Sequence, residues 1–346
     1  MRRLWIAGRF VASRRVASRW AASLGVASLC ALAACSSPPA APHAGDQAGP
    51  SASTPASTRA TGPAASRAPA STVRASASQA VEAAPSPAPV PPRVTVIRTR
   101  TADGSVVTVA TFQGPVTYVL HNGSEDPGAA AGRVRAGPVV VGAERKRLLA
   151  AFNGGFKLSA GVGGYEQEGH VASTLRRGLA SLVIDRSGRA RIGVWGHGLP
   201  VPGEAVYSVR QNLTPLVLHG KPTAASADSG LWGATLGGGE YVARSAVGQT
   251  AAGDLEYAAS MSATPADLAF VLAWTGARIA MELDINPEWV QLDVAGRPGG
   301  PLSAAIRGQN RPADQFLVGW ARDFFAVLAP AAASPPPRNS RLRPGP

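Results

Sequence analysis

Fifty-eight consecutive residues, Ser36 to Arg93, contain no Leu, Ile, Met or aromatic side chain, and 39 of them are Ala, Ser or Pro. A segment of that composition cannot bury enough apolar surface to offset the entropy lost on ordering, so it is expected to be disordered. As a flexible coil it would span roughly 40 Å, and its prolines would stretch it further. Ala331 to Pro346, with five Pro and three Arg, reads as a second disordered tail. Folding in this 346-residue chain is thereby confined to residues 94–330, a length that suits one large domain or two small ones.

The same partition disposes of the net charge. The chain carries +13, which taken whole would suggest nucleic acid as a partner. Six of those charges are arginines in residues 1–35, a net two lie in residues 36–93 and three in the tail, leaving +2 for residues 94–330. A nearly neutral fold is not expected to bind nucleic acid.

The N-terminus reads as an export signal. Met1 to Trp20 carries six Arg and no acid, and Ala21 to Ala34 is uncharged and mostly apolar, too short for a permanent membrane helix. Leu32-Ala33-Ala34-Cys35 resembles the lipobox of bacterial lipoproteins, which implies cleavage after Ala34, a lipid on Cys35 and attachment to a membrane outside the cytoplasm. The alternative is an ordinary signal peptide with Cys35 incidental. The organisation expected is a signal peptide (1–34), a tether (35–93), a folded domain (94–330) and a tail (331–346). The two cysteines, Cys30 and Cys35, both precede the domain, so the domain holds no disulfide and no thiolate metal site.

Within 94–330 the pattern is of hairpins. Val94–Arg100 and Ser105–Gln113 flank Asp103-Gly104; Leu179–Ile184 and Ala190–Trp195 flank Asp185–Gly188; Val242–Thr250 and Leu255–Ala259 flank Ala251–Asp254. Val116–Leu120 continues the strand pattern up to Asn122-Gly123. One helix is clear: Thr264 as N-cap, Pro265 at the first position, Asp267 at capping-box spacing, an apolar stripe of Leu268, Val271, Leu272 and Trp274, and Gly276 as the stop. The class expected is α+β, a single domain with a large curved, mainly antiparallel sheet and a few outer helices.

Arg278 to Asn286 reads as a strand in which Ile279, Met281, Leu283 and Ile285 alternate with Ala280, Glu282, Asp284 and Asn286. Two carboxylates at i and i+2 share one face, close enough to raise one another's pKa. The face is either the solvated side of an edge strand or a site. The helix is expected to cover the apolar face, so that Glu282 and Asp284 open into a cleft. Phe152-Asn153-Gly154-Gly155-Phe156 is either a hairpin turn or a place where a ligand meets the backbone with the Asn153 amide at its rim. Arg244, inside an apolar strand pattern, either pairs a buried acid or faces an anionic ligand such as phosphate. GxSxG, Walker and dinucleotide-binding patterns are absent, and the histidines at 121, 170, 197 and 219 have no zinc spacing. No cofactor and no resident metal are expected; a minor alternative makes Glu282, Asp284 and Asp293 oxygen ligands of a metal.

Five segments in order carry a resemblance: Ala151–Phe156, Gly178–Asp185, Arg210-Gln211-Asn212-Leu213, Arg244–Gly248 and Ala280–Pro287, with Arg311-Pro312 and Arg322-Asp323-Phe324-Phe325 near the end. The chain resembles the phosphodiester glycosidase family, that of the catalytic domain of N-acetylglucosamine-1-phosphodiester α-N-acetylglucosaminidase. The resemblance implies hydrolysis of a sugar 1-phosphodiester at its glycosidic bond. It implies Arg244 on phosphate, Asp284 as general base or nucleophile, Glu282 tuning it or serving as acid, and Asn153, Gly154, Gly155 and Asn286 about the sugar. Many members read Asp-Gly-Gly-Gly-Ser where this chain has Asp284-Ile285-Asn286-Pro287-Glu288-Trp289. The departure keeps a second reading open: a non-catalytic lipoprotein of the same fold that binds envelope glycan.

Overall fold

The computed structural model describes residues 91–233 and 238–331. The signal peptide, Cys35, nearly all of the tether and nearly all of the tail lie outside the described residues. What is described is α+β, built of antiparallel sheets with few helices. Its strands are shared among three sheets.

The first sheet has the order Arg93–Arg100, Val106–Gln113, Leu255–Ala263, Val242–Thr250, Ala277–Glu282, Val217–Leu218, Lys221–Pro222. The second runs His170–Ser173, Tyr165–Gln167, Val206–Gln211, Ala180–Asp185, Ala190–Trp195, Gly198–Leu199, and the third Leu302–Ala304, Leu292–Ala295, Leu148–Asn153, Phe324–Leu328, Thr117–His121. All three expected hairpins form, because each rests on local turn chemistry. Gly104 takes φ +88°, and the Asp185 carboxylate accepts the Ser187 and Arg189 N–H groups across its turn. Asn153-Gly154 is not a hairpin turn. Leu148–Asn153 lies between Leu292–Ala295 and Phe324–Leu328, partners more than a hundred residues away.

The helix spans Pro265–Thr275 with the expected capping box: Asp267 N–H donates to Thr264 Oγ1 at 3.1 Å, and Thr264 N–H donates to Asp267 Oδ2 at 2.9 Å. Gly276, at φ +113°, ends it. Leu268, Val271 and Leu272 are buried, but Trp274 is 64% exposed. It lies six residues on from Leu268, about a third of a turn away from that residue around the helix axis.

The helix also sits on the other face of its strand from the one expected. It packs with Ala246, Ala258, Ala277 and Ala280, while Met281 and Leu283 join a second core with Val247, Phe152 and Phe325. Side-chain size decides this. The Ala277/Ala280 face is shallow, and a Cβ on Gly248 would stand 2.8 Å from Ala277 Cβ and 3.3 Å from Leu272 Cδ2, so only a glycine there lets the helix close. The strand is therefore covered on both sides, and Glu282, which shares the Ala280 face, is enclosed.

This packing predicts that Gly248→Val lowers the free energy of unfolding by about 1–3 kcal/mol. Trp274→Ser should leave it within about 0.5 kcal/mol, as at other exposed positions. Urea titration of the two variants checks the contrast.

Candidate functional site

The regular strand ends at Glu282, four residues before the expected end. Pairing persists for two residues more, with Leu283 N–H donating to Ser245 O at 2.8 Å and Ser245 N–H to Asp284 O at 2.9 Å. There the chain turns, because Asp284 Oδ1 accepts the N–H groups of Ile285 (2.8 Å) and Asn286 (2.9 Å). The turn aims the other carboxylate oxygen at Arg322, whose Nη2 is 3.3 Å from Asp284 Oδ2. The same guanidinium holds Asp126 Oδ2 through Nε (3.1 Å) and donates from Nη2 to Gly155 O (2.9 Å). Asp126 in turn accepts the Leu158 N–H.

A cavity of about 450 Å³ opens above this pair, walled by Phe156, Lys157, Asp284, Asn286, Trp289 and Arg322. Trp289 stacks under the Arg322 guanidinium, 5.4 Å from Cζ to ring centroid, and Arg311 lies 5.2 Å from the same ring. Lys157 is exposed and makes no ion pair among the described residues. Burial pushes the Asp284 carboxyl up to about 6, against the opposing pull of Arg322 and the two backbone donors. Both of its protonation states are thus accessible near neutral pH.

Glu282 does not reach this cavity. It is fully buried and bound to Arg244, Nη1 to Oε1 2.8 Å, with both side chains at most 1% exposed. Burial outweighs the arginine and pushes the Glu282 carboxyl up to about 8; its Oε2 has no hydrogen-bond partner among the described residues. Arg244 also donates from Nε to Ala263 O and from Nη1 to Trp232 O. Of the two readings open for Arg244, the structure has the buried ion pair, and the cations that line the cavity are Arg322 and Lys157.

The Asn153 amide is likewise committed. Nδ2 donates to Gly154 O and to Ser245 Oγ (2.9 Å), and Oδ1 accepts from Tyr257 Oη (2.7 Å) and Gln291 N–H (3.2 Å). Ser245 Oγ then accepts the Asp284 N–H and donates to Asp284 O, so Asn153 positions Asp284 through one intermediary and leaves no group for a sugar. Gly154 and Gly155 make room for protein, not ligand. A Cβ on Gly154 would fall 1.9 Å from Asp323 Oδ2, and one on Gly155 would fall 2.9 Å from Arg210 Cζ. Arg210 and Asp323 form a third buried ion pair, Nε to Oδ2 2.8 Å, and Arg210 also donates to Phe156 O. Asn286 is the expected sugar ligand that does line the cavity; its Oδ1 accepts the Glu288 N–H, and its Nδ2 has no partner among the described residues.

Among the described residues no group of three or more His, Cys, Asp or Glu is placed to hold a metal. Asp293 sits apart from Glu282 and Asp284, on the strand Leu292–Ala295, accepting from Gln291 Nε2 (2.7 Å) and Gln309 Nε2 (2.8 Å) with its carboxyl pushed up to about 7 by burial. Residue-by-residue reading missed Arg322, Asp126, Lys157 and Trp289. Arg322 and Trp289 fall within or beside the segments that carry the family resemblance; Asp126 and Lys157 have no sequence signal of their own.

No family model matches the chain, and no curated protein does. Among solved structures it is similar to the zebrafish N-acetylglucosamine-1-phosphodiester α-N-acetylglucosaminidase catalytic domain, auto-inhibited by its pro-peptide, at 14% identity and a TM-score of 0.43, over 69% of this chain and 83% of that one. A hypothetical protein from Synechocystis matches at 14% identity and a TM-score of 0.41, over 69% of this chain and 62% of that one. Both are distant structural likenesses.

Asp284, Glu282 and Asp293 all have raised pKa values in the folded state. Each binds its proton more tightly folded than unfolded, so its stabilising contribution is complete below the unfolded pKa of about 4 and is lost as pH rises through the folded value. The lowered groups, Glu144 and Asp185, titrate below this window. The thermal midpoint should therefore fall between about pH 5 and about pH 8. Asp293→Asn should flatten that fall, as differential scanning calorimetry across the range would show.

Proposed function

We propose that the chain is an exported, lipid-anchored hydrolase that cleaves the glycosidic bond of a sugar 1-phosphodiester in envelope or extracellular glycans. The observation that carries this reading is one buried carboxyl, Asp284, with a pKa near 6, held against one guanidinium, Arg322, at the floor of an open cavity. A phosphomonoester leaving group has a second pKa of about 6 and departs with little protonic help, so a cation on the phosphate and one carboxylate are a sufficient inventory. In the proposed reaction Arg322 and Lys157 take the phosphate oxygens. Water attacks the anomeric carbon as Asp284 accepts its proton, or Asp284 attacks first and water follows. The bond from the anomeric carbon to the phosphate oxygen breaks, and the phosphomonoester leaves with the bonding pair.

Trp289 offers an aromatic face to the sugar, and Asn286 Nδ2 offers a donor to a hydroxyl. Arg244, Glu282, Asn153, Gly154 and Gly155 stand behind the cavity and keep its floor in place. Export and the lipid on Cys35 belong to the same proposal. No helix among the described residues is long and apolar enough to cross a membrane. The replacement of Gly-Gly-Gly-Ser by Ile285-Asn286-Pro287-Glu288 motivates the second reading, a glycan-binding lipoprotein without turnover.

Phosphorus NMR of the protein with a panel of sugar 1-phosphodiesters separates the two. The hydrolase should release monoester, Asp284→Asn should lower turnover by about 10²–10⁴-fold, and kcat/KM should rise with pH up to about 6 and level off above it, as ionisation of Asp284 requires. Binding without monoester, unchanged by Asp284→Asn, is the outcome of the second reading.

A further inference from the structure

The outer face of the helix Pro265–Thr275 is unusual for a surface helix. Its exposed positions are Ala266, Phe270 and Trp274, one stripe at four-residue spacing, and its single charged residue, Asp267, is buried in the capping box. Phe270 is 59% and Trp274 64% exposed. A surface helix ordinarily shows polar side chains on this side. The neighbouring segment that packs on the helix exposes further apolar residues, Pro222, Ala224 and Ala227.

Two cations lie on segments that adjoin the helix. Lys221 lies in the short strand that packs on the helix, and Arg278 follows the helix by three residues, its guanidinium over Gly220. Both are exposed, and neither has a carboxylate partner among the described residues. The carboxylates closest along these segments are engaged: Asp228 accepts the Gly230 N–H, and Asp267 accepts from Thr264 and Ser105. The Trp274 indole N–H has no acceptor among the described residues.

We propose that this face is a docking surface for an anionic lipid bilayer. Indole and phenyl rings beside unpaired Lys and Arg fit the boundary between acyl chains and headgroups. There the rings bury their apolar bodies, the indole N–H meets carbonyl or phosphate oxygens, and the cations meet anionic headgroups. The tether of this same chain is a poor occupant, because residues 36–93 contain no Leu, Ile, Met or aromatic residue to set against Phe270 and Trp274. The docking does not depend on the lipid proposed at Cys35. It would fix the orientation of the domain at the bilayer surface.

Vesicle flotation tests it, using the mature chain from residue 35 onward carrying Cys35→Ser, so that neither the basic export signal nor a lipid is attached. The parent should bind vesicles of mixed phosphatidylglycerol and phosphatidylcholine, and adding Phe270→Ser and Trp274→Ser should weaken that binding by about tenfold or more. Lys221→Glu with Arg278→Glu should remove the preference for phosphatidylglycerol over phosphatidylcholine alone. All four positions are exposed, so an unchanged thermal midpoint confirms that the variants fold. Equal binding by the parent and the aromatic variant, or none by either, would overturn the proposal. A concentration-dependent dimer in light scattering that the aromatic variant abolishes would assign the face to a second copy of the chain and equally overturn it.

Discussion

Three guanidinium groups inside this fold, on Arg210, Arg244 and Arg322, must each find a carboxylate, because an unpaired charge in a low-dielectric interior is not tolerated. Much of the architecture around the cavity answers that requirement. Arg210 reaches Asp323 across 113 residues of sequence and Arg244 reaches Glu282 across 38. Arg322 is shared between Asp126 and Asp284. Glycines 154 and 155 clear the space for the first of these pairs, and Gly248 lets the helix close over the second.

The cavity follows from the difference among the three. Arg210–Asp323 and Arg244–Glu282 are sealed, with at most 1% of any of these side chains exposed, which suits structural pairs. Arg322–Asp284 lies at the edge of the interior, where the strand Ala277–Glu282 has ended and its sheet no longer covers it. Burial is deep enough to hold the Asp284 carboxyl near 6 yet shallow enough for a ligand to reach it. A group that exchanges protons near neutral pH, beside a fixed cation and an aromatic wall, is the combination that acid–base chemistry on an anionic ligand needs.

What could be read from the sequence was what depends on neighbours in the chain. The three hairpins and the capping box at Thr264–Asp267 rest on turn and cap chemistry within a few residues, and the structure has them all. Alternation along residues 278–286 correctly put Glu282 and Asp284 apart from Met281 and Leu283, but alternation cannot say which face a helix will cover. That was decided by Ala246, Gly248 and Ala258 on two other strands. Asp284 was found because it ends a strand. Arg322, Asp126 and Lys157 were not, since their convergence depends on which strands pair across the sheets. The Gly154-Gly155 pair shows the same limit: the sequence registers that side chains are excluded there, and only the fold shows that Asp323 and Arg210 exclude them.

In the proposed reaction the cavity over Asp284 and Arg322 breaks the bond between an anomeric carbon and a phosphate oxygen. The most direct measurement is hydrolysis of a sugar 1-phosphodiester in ¹⁸O-labelled water, followed by mass spectrometry of both products. Attack at the anomeric carbon places the label in the released sugar and leaves the phosphomonoester unlabelled. Label in the phosphomonoester would mean that the phosphorus–oxygen bond is cleaved instead, and would contradict the assignment of Asp284 to the sugar carbon.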